Sequence, residues 1–358
     1  MVPAPELLAD VLPSARLTAS GKPVPALRSD LRRIASVRNV GSVLLTWAQA
    51  AATVAAAVWL GHPAAWVAAF LAMGPAHARF AILAHEAAHK LLFTHKRAND
   101  LVGRWLLAYP ALLPFEAYRR AHFAHHRDEL GPNEPDLNLY AGYPITRRSF
   151  RRKLTRDALG VSGWKNLRGL LRALRARPSR PLALRLVAGQ LVVLVPLALA
   201  GRPELYLALW LAPWLTVWQV LNRLRAIAEH AGMTASQDRR LTTHHVRQSW
   251  PARCLIVPFN TGWHLAHHVD MGVPWRNLPR LHRELVDAGW VTDAIVHPGY
   301  RALWRALRAR PDADRPAAAD AGGIRSAGDR RLRAAGRLGE PPAGGGDRGL
   351  PRPPAVPR

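Results

Sequence analysis

The sequence predicts an all-α integral membrane protein with four transmembrane helices arranged as two hairpins. Residues 42–60 form a nineteen-residue run without a charged side chain, which is long enough to cross a hydrocarbon core of about 30 Å. A second apolar run, 64–84, follows after a three-residue turn. The runs 182–200 and 205–221 repeat this arrangement. Their length, scarcity of charge and pairing favour membrane hairpins over buried helices of a soluble protein.

Positive charges predict which side of the membrane each segment faces. Residues 1–41 carry six Lys or Arg, and 147–180 carry twelve against one acidic residue. The two hairpin tips carry only Arg202 between them. Both tips are therefore expected outside the cytoplasm and the termini inside it. The abundance of Arg and Ala favours a bacterial inner membrane, and no cleavable signal peptide is expected because residues 1–41 are polar and basic.

Composition divides the chain into three parts. Residues 1–41 are predicted to form a cytoplasmic N-terminal segment and 42–310 a single membrane domain. The basic stretch 311–358 has no aromatic residue and abundant Pro, Gly, Ala and Arg, so we expect a disordered tail. The net charge of +26 first suggests a nucleic-acid partner, but long uncharged apolar runs argue against one. The single cysteine, Cys254, excludes a disulfide framework and a Cys-ligated metal site.

Three histidine clusters of similar design mark the candidate functional site. Their sequences are His85-Glu86-Ala87-Ala88-His89, His122-Phe123-Ala124-His125-His126 and His264-Leu265-Ala266-His267-His268. Spacings of i, i+3 and i+4 place imidazoles on one face of a helix, about one turn apart. Imidazole suits iron, zinc and copper. Because the predicted topology brings all three clusters to one side of the membrane, we predict a cytoplasmic helical cap with a His-rich site.

The eight clustered imidazoles are too many for one tetrahedral metal site, and they suit two metals with four or five nitrogen ligands each. His230 is a ninth candidate because it continues the helix of the fourth span into the cytoplasm. His244 and His245 lie in a polar linker without this spacing, and they are not assigned to the site. Four isolated histidines read as ordinary surface or core residues: His62, His95, His282 and His297.

Acidic neighbours of the clusters are expected to accept the second N–H of metal-bound imidazoles. These residues are Glu86, Asp128, Glu129, Glu229 and Asp270. The first cluster also matches H-E-x-x-H, the zinc-peptidase signature in which Glu activates water. An intramembrane zinc metalloprotease is therefore an alternative, although it leaves the other six clustered histidines without a role.

The three clusters, in this order and separated by two membrane hairpins, resemble those of the membrane fatty acid desaturase superfamily. The resemblance covers residues from about 42 to 290, and it includes the Glu229-His230 pair ahead of the third cluster. The stretch from Asn260 to His268, NTGWHLAHH, is similar to the third cluster of bacterial acyl-lipid desaturases. No single cluster would be this specific.

The resemblance implies a di-iron centre, O₂ as co-substrate and a fatty acyl substrate that gains a double bond. It assigns as iron ligands His85, His89, His122, His125, His126, His264, His267 and His268, and it makes His230 a ninth. No catalytic residue beyond these ligands is implied. A hydroxylase or ketolase of the same architecture, acting on a lipid, alkane or carotenoid, stays an alternative because the clusters do not separate these reactions.

Two features concern the partners of such an enzyme. His297-Pro298-Gly299-Tyr300 is similar to the haem-ligand motif of fused cytochrome domains, but the sequence after it is too short and too polar for one. Electrons are therefore expected from a separate ferredoxin or cytochrome with its reductase. The basic loop 147–180 has two equal interpretations, as a binding site for a phosphate, acyl carrier or lipid headgroup, or as a solvated loop.

Overall fold

The computed structural model describes residues 1–310, and within them the chain is mostly helical with almost no strand, as predicted. The α-helices are α1 (Pro25–Leu31), α2 (Ser36–Leu60), α3 (Pro63–Ala88), α4 (Lys96–Val102), α5 (Phe115–Arg127), α6 (Leu137–Tyr140), α7 (Arg147–Ala158), α8 (Val161–Arg175), α9 (Arg180–Leu199), α10 (Ala212–Leu215), α11 (Val217–His230), α12 (Trp250–Leu255), α13 (His264–Val269), α14 (Leu278–Asp287) and α15 (Tyr300–Leu307). The predicted tail, 311–358, lies outside the described residues.

Shorter elements complete this part of the chain. Two 3-10 turns span Pro5–Leu7 and Asp293–Ile295, and two π-helical turns span Gly103–Ala108 and Tyr206–Leu211. The two-residue strands β1 (His245–Val246) and β2 (Val296–His297) pair in parallel. The strands contribute little, and packing of helices forms the core.

Three of the described helical segments are long and apolar enough to cross a membrane. They are Pro25–Leu60, which contains α1 and α2, together with Pro63–Ala88 and Arg180–Leu199. The first two contain the predicted first and second spans, and the third covers 182–199 of the predicted third span, 182–200. Gly61, in the left-handed conformation with φ of 61°, ends α2, and α3 then packs along it.

The predicted fourth span, 205–221, is helical but not one long helix. It consists of the π-helical turn Tyr206–Leu211, then α10, then a break at Thr216 with φ −121° and ψ −82°, and then α11. Pro213 offers no backbone N–H, so the preceding turn lacks its usual i to i−4 bond and widens. Hydropathy does not reveal such an interruption, because the residues around it are uncharged and mostly apolar.

The apolar stretch 101–115, which is too short to span a membrane, packs inside the helices. Leu107, Ala108 and Tyr109 are fully buried. Carbonyl groups in this irregular segment accept hydrogen bonds from the indole N–H groups of three tryptophans: Trp47 to Leu106, Trp210 to Pro110 and Trp214 to Ala111, at 2.9–3.0 Å. An irregular backbone in apolar surroundings requires such partners.

Helix α8 packs against the break between α10 and α11 through Gly163. A Cβ atom at Gly163 would lie 2.3 Å from the backbone oxygen of Leu215, closer than van der Waals contact allows. We expect Gly163→Ala to lower the free energy of unfolding by about 1–3 kcal/mol. Gly169→Ala on the same helix is the control, because no atom lies within 4 Å of its Cβ. Gly169→Ala should stabilise α8 by ~0.5–1 kcal/mol. The unfolding midpoints of the two detergent-purified variants measure these effects. Equal midpoints would contradict the close contact between Gly163 and Leu215.

The N-terminal segment and the last helices close over the third histidine cluster. Leu17, Leu27 and Leu31 are buried with residues of α13 and α14. In a separate cluster of buried residues, Leu303 and Leu307 of α15 are fully buried beside Ile227 of α11. The apolar face of the amphipathic helix α15 is thus covered by protein.

Candidate metal centre

Nine buried or half-buried histidines meet at the end of the long helices in two groups. The first group contains His85 and His89 from the end of α3, His122 and His126 from α5, and His267 from α13. Their donor nitrogens all lie within 4.8 Å of one another. The Nε2 atom of His122 is 2.8 Å from that of His89 and 3.1 Å from that of His126.

The second group contains four histidines: His125, His230, His264 and His268. Their donor nitrogens also lie within 4.8 Å of one another. The Nε2 atom of His264 is 3.0 Å from those of both His230 and His268. The structure thus brings together all eight clustered histidines and the ninth candidate, His230.

Helices α5 and α13 each contribute to both groups. In α5 the i, i+4 pair His122/His126 belongs to the first group, and His125 points into the second. In α13 the pair His264/His268 belongs to the second group, and His267 points into the first. Adjacent helical residues project about 100° apart, so each H-x-x-H-H motif directs two rings into one group and one ring into the other. The α5 motif gives its pair to the first group, and the α13 motif gives its pair to the second.

The chemistry of these donors fits two metal ions. Burial and the neighbouring imidazoles lower the pKa values of His122, His126 and His267 well below the usual range, so the rings are neutral and carry lone pairs. Two Nε2 atoms about 3 Å apart that both present lone pairs repel one another unless a proton or a metal cation lies between them. The Nε2 atom of His267 is buried without a hydrogen-bond partner among residues 1–310. A divalent transition-metal cation in each group would satisfy these nitrogens.

Three glutamates contact the outer nitrogens of the second group. Glu134 Oε2 lies 2.8 Å from His125 Nδ1. Glu129 lies between two rings, 3.1 Å from His230 Nδ1 and 3.0 Å from His268 Nδ1. Glu229 Oε1 lies 3.7 Å from His264 Nδ1. Carboxylates in these places fix the ring orientation and leave Nε2 as the donor to a metal.

Glu129 also holds the surrounding structure together. Its carboxylate accepts hydrogen bonds from Arg239 at 2.5 Å and from the Thr243 hydroxyl at 2.5 Å. Burial alone would raise the pKa of this carboxyl, but the bonds from His230, Thr243 and Arg239 lower it below its usual range. Glu129 is therefore an anion that balances charge at the centre of the site.

Of the five acidic neighbours flagged in the sequence, only Glu129 and Glu229 contact histidines. Asp270 instead binds Arg28 and Arg32 at 2.6 Å, Glu86 accepts the backbone N–H of Trp275, and Asp128 accepts that of Asn133. For these three, the expectation of a contact with an imidazole was wrong, because sequence proximity does not set side-chain direction. Glu134 was missed, since no helical spacing connects it with His125.

The other histidines have structural contacts outside the two groups. His62 and His95 accept backbone N–H groups at the starts of α3 and α4. His244 Nε2 lies 2.8 Å from the carbonyl oxygen of Ala231, and His245 stacks on His282 with centroids 4.5 Å apart. Leaving His244 and His245 out of the site is consistent with these contacts.

A cavity of about 640 Å³ reaches the histidines, a volume typical of ligand pockets. Members of both groups line it: His85, His122, His125, His230, His264 and His267. Leucines from three segments form its apolar wall: Leu112, Leu113, Leu170, Leu182 and Leu186. The exposed lining residues are Leu139 on α6 and Lys165, Asn166 and Gly169 on α8, so the cavity opens beside α8 and α6.

Fold and site together define a class of helical protein with membrane-length apolar helices and a buried polyhistidine centre at the end of an apolar cavity. Residues 59–291 match the family model described as fatty acid desaturase. This match covers well over half of the chain, so the protein belongs to the fatty acid desaturase family, and the resemblance seen in the sequence is confirmed.

Three relatives illustrate the similarity, at low identity. The chain is 24% identical over 257 residues to dihydrorhizobitoxine desaturase of Bradyrhizobium elkanii, covering 64% of this chain and 71% of that protein. It is 26% identical over 259 residues to a chloroplastic omega-6 fatty acid desaturase of Brassica napus, covering 65% and 55%. It is 21% identical over 282 residues to an sn-1 oleoyl-lipid 12-desaturase of Anabaena variabilis, covering 72% and 77%. The match spans just over half the length of the chloroplastic relative.

Proposed function

We propose that the protein is an O₂-dependent desaturase that introduces a double bond into an acyl chain at a non-haem di-iron centre. The observation that carries this proposal is that the two groups of histidines, with five and four imidazoles, lie at the inner end of an apolar cavity. One iron would be held by the five-histidine group and the other by the four-histidine group. The relatives, named as desaturases, support the reaction class.

The iron pair, when bound and reduced, supplies the activation of O₂ that breaking an unactivated C–H bond requires. The chain's own residues do the rest. The leucine wall of the cavity holds the aliphatic chain and excludes water. Glu134 accepts the N–H of His125, while Glu129 and Glu229 lie 3.0 and 3.7 Å from the Nδ1 atoms of His268 and His264. These carboxylates keep each Nε2 directed inward.

The zinc-protease alternative fits this arrangement poorly. A catalytic zinc usually has three protein ligands and an open position for water. Here His85 and His89 meet three further imidazoles, and Glu86 contacts the backbone of Trp275. The proposal includes the remaining expectations from the sequence: location in a bacterial inner membrane, histidines on the cytoplasmic side, and electrons from a separate ferredoxin or cytochrome with its reductase.

Elemental analysis of the detergent-purified protein, together with lipid profiling of an expressing host, tests the proposal. We expect about two irons per chain, one for each histidine group, and new double bonds that form only with O₂. New hydroxyl or keto groups in place of double bonds would assign the chain to the alternative reaction. One zinc without iron, and no oxidised lipid, would contradict the proposal.

A further inference from the structure

One wall of the cavity is polar, which a hydrocarbon chain alone does not require. The residues that form it share one face of α11, at spacings of three, three and four: Gln219, Asn222, Arg225 and Glu229. Such spacing places side chains in a row along a helix. Burying polar groups without partners costs free energy, so a row of this kind inside an apolar cavity points to a ligand with polar atoms.

Arg225 is the strongest donor in this row. Its side chain lines the cavity and is 22% exposed. One Nη1 bond goes to Glu229 at 2.7 Å, and a longer Nη2 contact of 3.4 Å goes to Asn222 Oδ1. Nε has no hydrogen-bond partner within residues 1–310. A guanidinium has five N–H donors, so most of the hydrogen-bonding capacity of Arg225 is unused.

The charges around Arg225 define what it can bind. Two basic residues line the cavity, Lys165 and Arg225, and so do three acidic ones, Glu86, Asp136 and Glu229. The Arg225 charge is already paired with Glu229, so a further anion would bring an unpaired negative charge into a largely apolar cavity. A neutral acceptor can use the spare N–H groups without adding charge. Ester, thioester and amide carbonyl oxygens have this property.

The position of Arg225 along α11 limits how far such a carbonyl lies from the histidines. Glu229, which contacts His264, is one helical turn from Arg225, about 6 Å along the axis. Asn166 at the exposed end of the cavity donates to Gln219 at 3.3 Å. From Gln219 to Glu229 the axis rises by about 15 Å. The polar row therefore runs from the mouth of the cavity to the metal-facing histidines over a short distance.

We propose that the substrate carries a neutral carbonyl group within a few bonds of the carbon that reacts, and that Arg225 and Asn222 bind this carbonyl oxygen. With its Oδ1 turned to Arg225, the Asn222 amide presents Nδ2 as a second donor. The hydrocarbon portion of the substrate then lies against the leucine wall. The position of the reacting carbon rests on the proposed function, whereas binding of the carbonyl beside Arg225 does not.

Binding of two probes of equal chain length, methyl decanoate and decane, tests the carbonyl contact. Dissociation constants are measured on the purified full-length protein without reductant, so the result does not depend on turnover. We expect the ester to bind at least about tenfold more tightly than the alkane, as a charge-assisted hydrogen bond allows. Arg225→Lys, which retains the charge beside Glu229 but loses the planar fork, and Asn222→Leu should each remove most of this preference.

Arg223→Lys is the matched control. Arg223 lies on the same helix, is 21% exposed and pairs with Asp157, away from the cavity, and its replacement should leave the ester preference unchanged. An equal loss of affinity for both probes in Arg225→Lys, or a loss of bound iron, would show that Arg225 only supports Glu229 and His264. That outcome would overturn the proposal, as would equal binding of ester and alkane by the unaltered protein.

Two further measurements separate this inference from the proposed function. Decanoate should bind less tightly than methyl decanoate, and tighter binding of the anion would overturn the assignment of a neutral carbonyl. In an active preparation, a new double bond far along the chain from the carbonyl would overturn the position of the reacting carbon. If the ester preference depends on Arg225 but no O₂-dependent product forms, the binding site stands and the proposed reaction fails.

Discussion

Replacing His267 with alanine is expected to abolish activity and to reduce bound iron from about two per chain to about one. His267 is the only member of the five-histidine group that comes from α13, so its loss removes the contribution of the third cluster to that group. Loss of a residue that hydrogen-bonds to a metal ligand already costs ~10–100-fold in metal affinity or activity. Loss of a ligand itself should cost more. Iron per chain and O₂-dependent product measured on the same preparation check this prediction.

His282→Ala is the control for loss of a partly buried imidazole. His282 stacks on His245 and belongs to neither group, so this variant should retain iron and activity. The zinc-protease alternative predicts that the His267→Ala variant stays active, because a zinc bound by His85 and His89 would not need His267. A His267→Ala protein with full activity would contradict the two-metal centre.

Replacing Glu129 with alanine is expected to have the largest effect among residues that are not proposed ligands. Its side chain is fully buried and contacts His230, His268 and Arg239. Without it His268 loses its carboxylate neighbour, and His230 keeps only the carbonyl oxygen of Thr242 as an acceptor. The Arg239 charge also loses its partner. We expect iron affinity to fall about 10–100-fold and the free energy of unfolding to fall by about 3 kcal/mol. Iron titration and thermal unfolding of the purified variant measure the two effects.

Asp128→Asn is the matched control, because Asp128 is the neighbouring acid in the sequence but contacts only the backbone of its own turn. It should change iron affinity by less than about twofold, since no imidazole loses a partner. Glu129→Gln separates charge from shape, because the amide retains one acceptor for an imidazole N–H but carries no charge. If Glu129→Gln and Glu129→Ala behave like Asp128→Asn, Glu129 does not position the histidines.

The arrangement of the histidines was largely predictable from local spacing. A helix repeats every 3.6 residues, so H-x-x-H-H predicts an i, i+4 pair on one face with a third ring beside it. His230 was predictable only as the continuation of an apolar helix into a polar region. Which ring belongs to which group was not predictable, because it depends on how α5 and α13 face each other across the site.

Other features depended on contacts between residues distant in sequence. Glu134 and Glu129 reach the second group through turns, whereas the equally acidic Asp270 is drawn to arginines of the N-terminal segment. The interruption of the fourth apolar run at Thr216 is likewise invisible in its hydropathy. In each case several conformations satisfy the local sequence equally well, and packing selects one.

The sequence by itself determined the helical class, three long apolar helices, the nine histidines and the family, because these depend on residue type and on spacing within single helices. Only the tertiary structure decided the division into two groups, the carboxylates that hold the rings, and the polar row with Arg225 inside an apolar cavity. These features depend on directions and distances between different helices, and local periodicity carries no information about them.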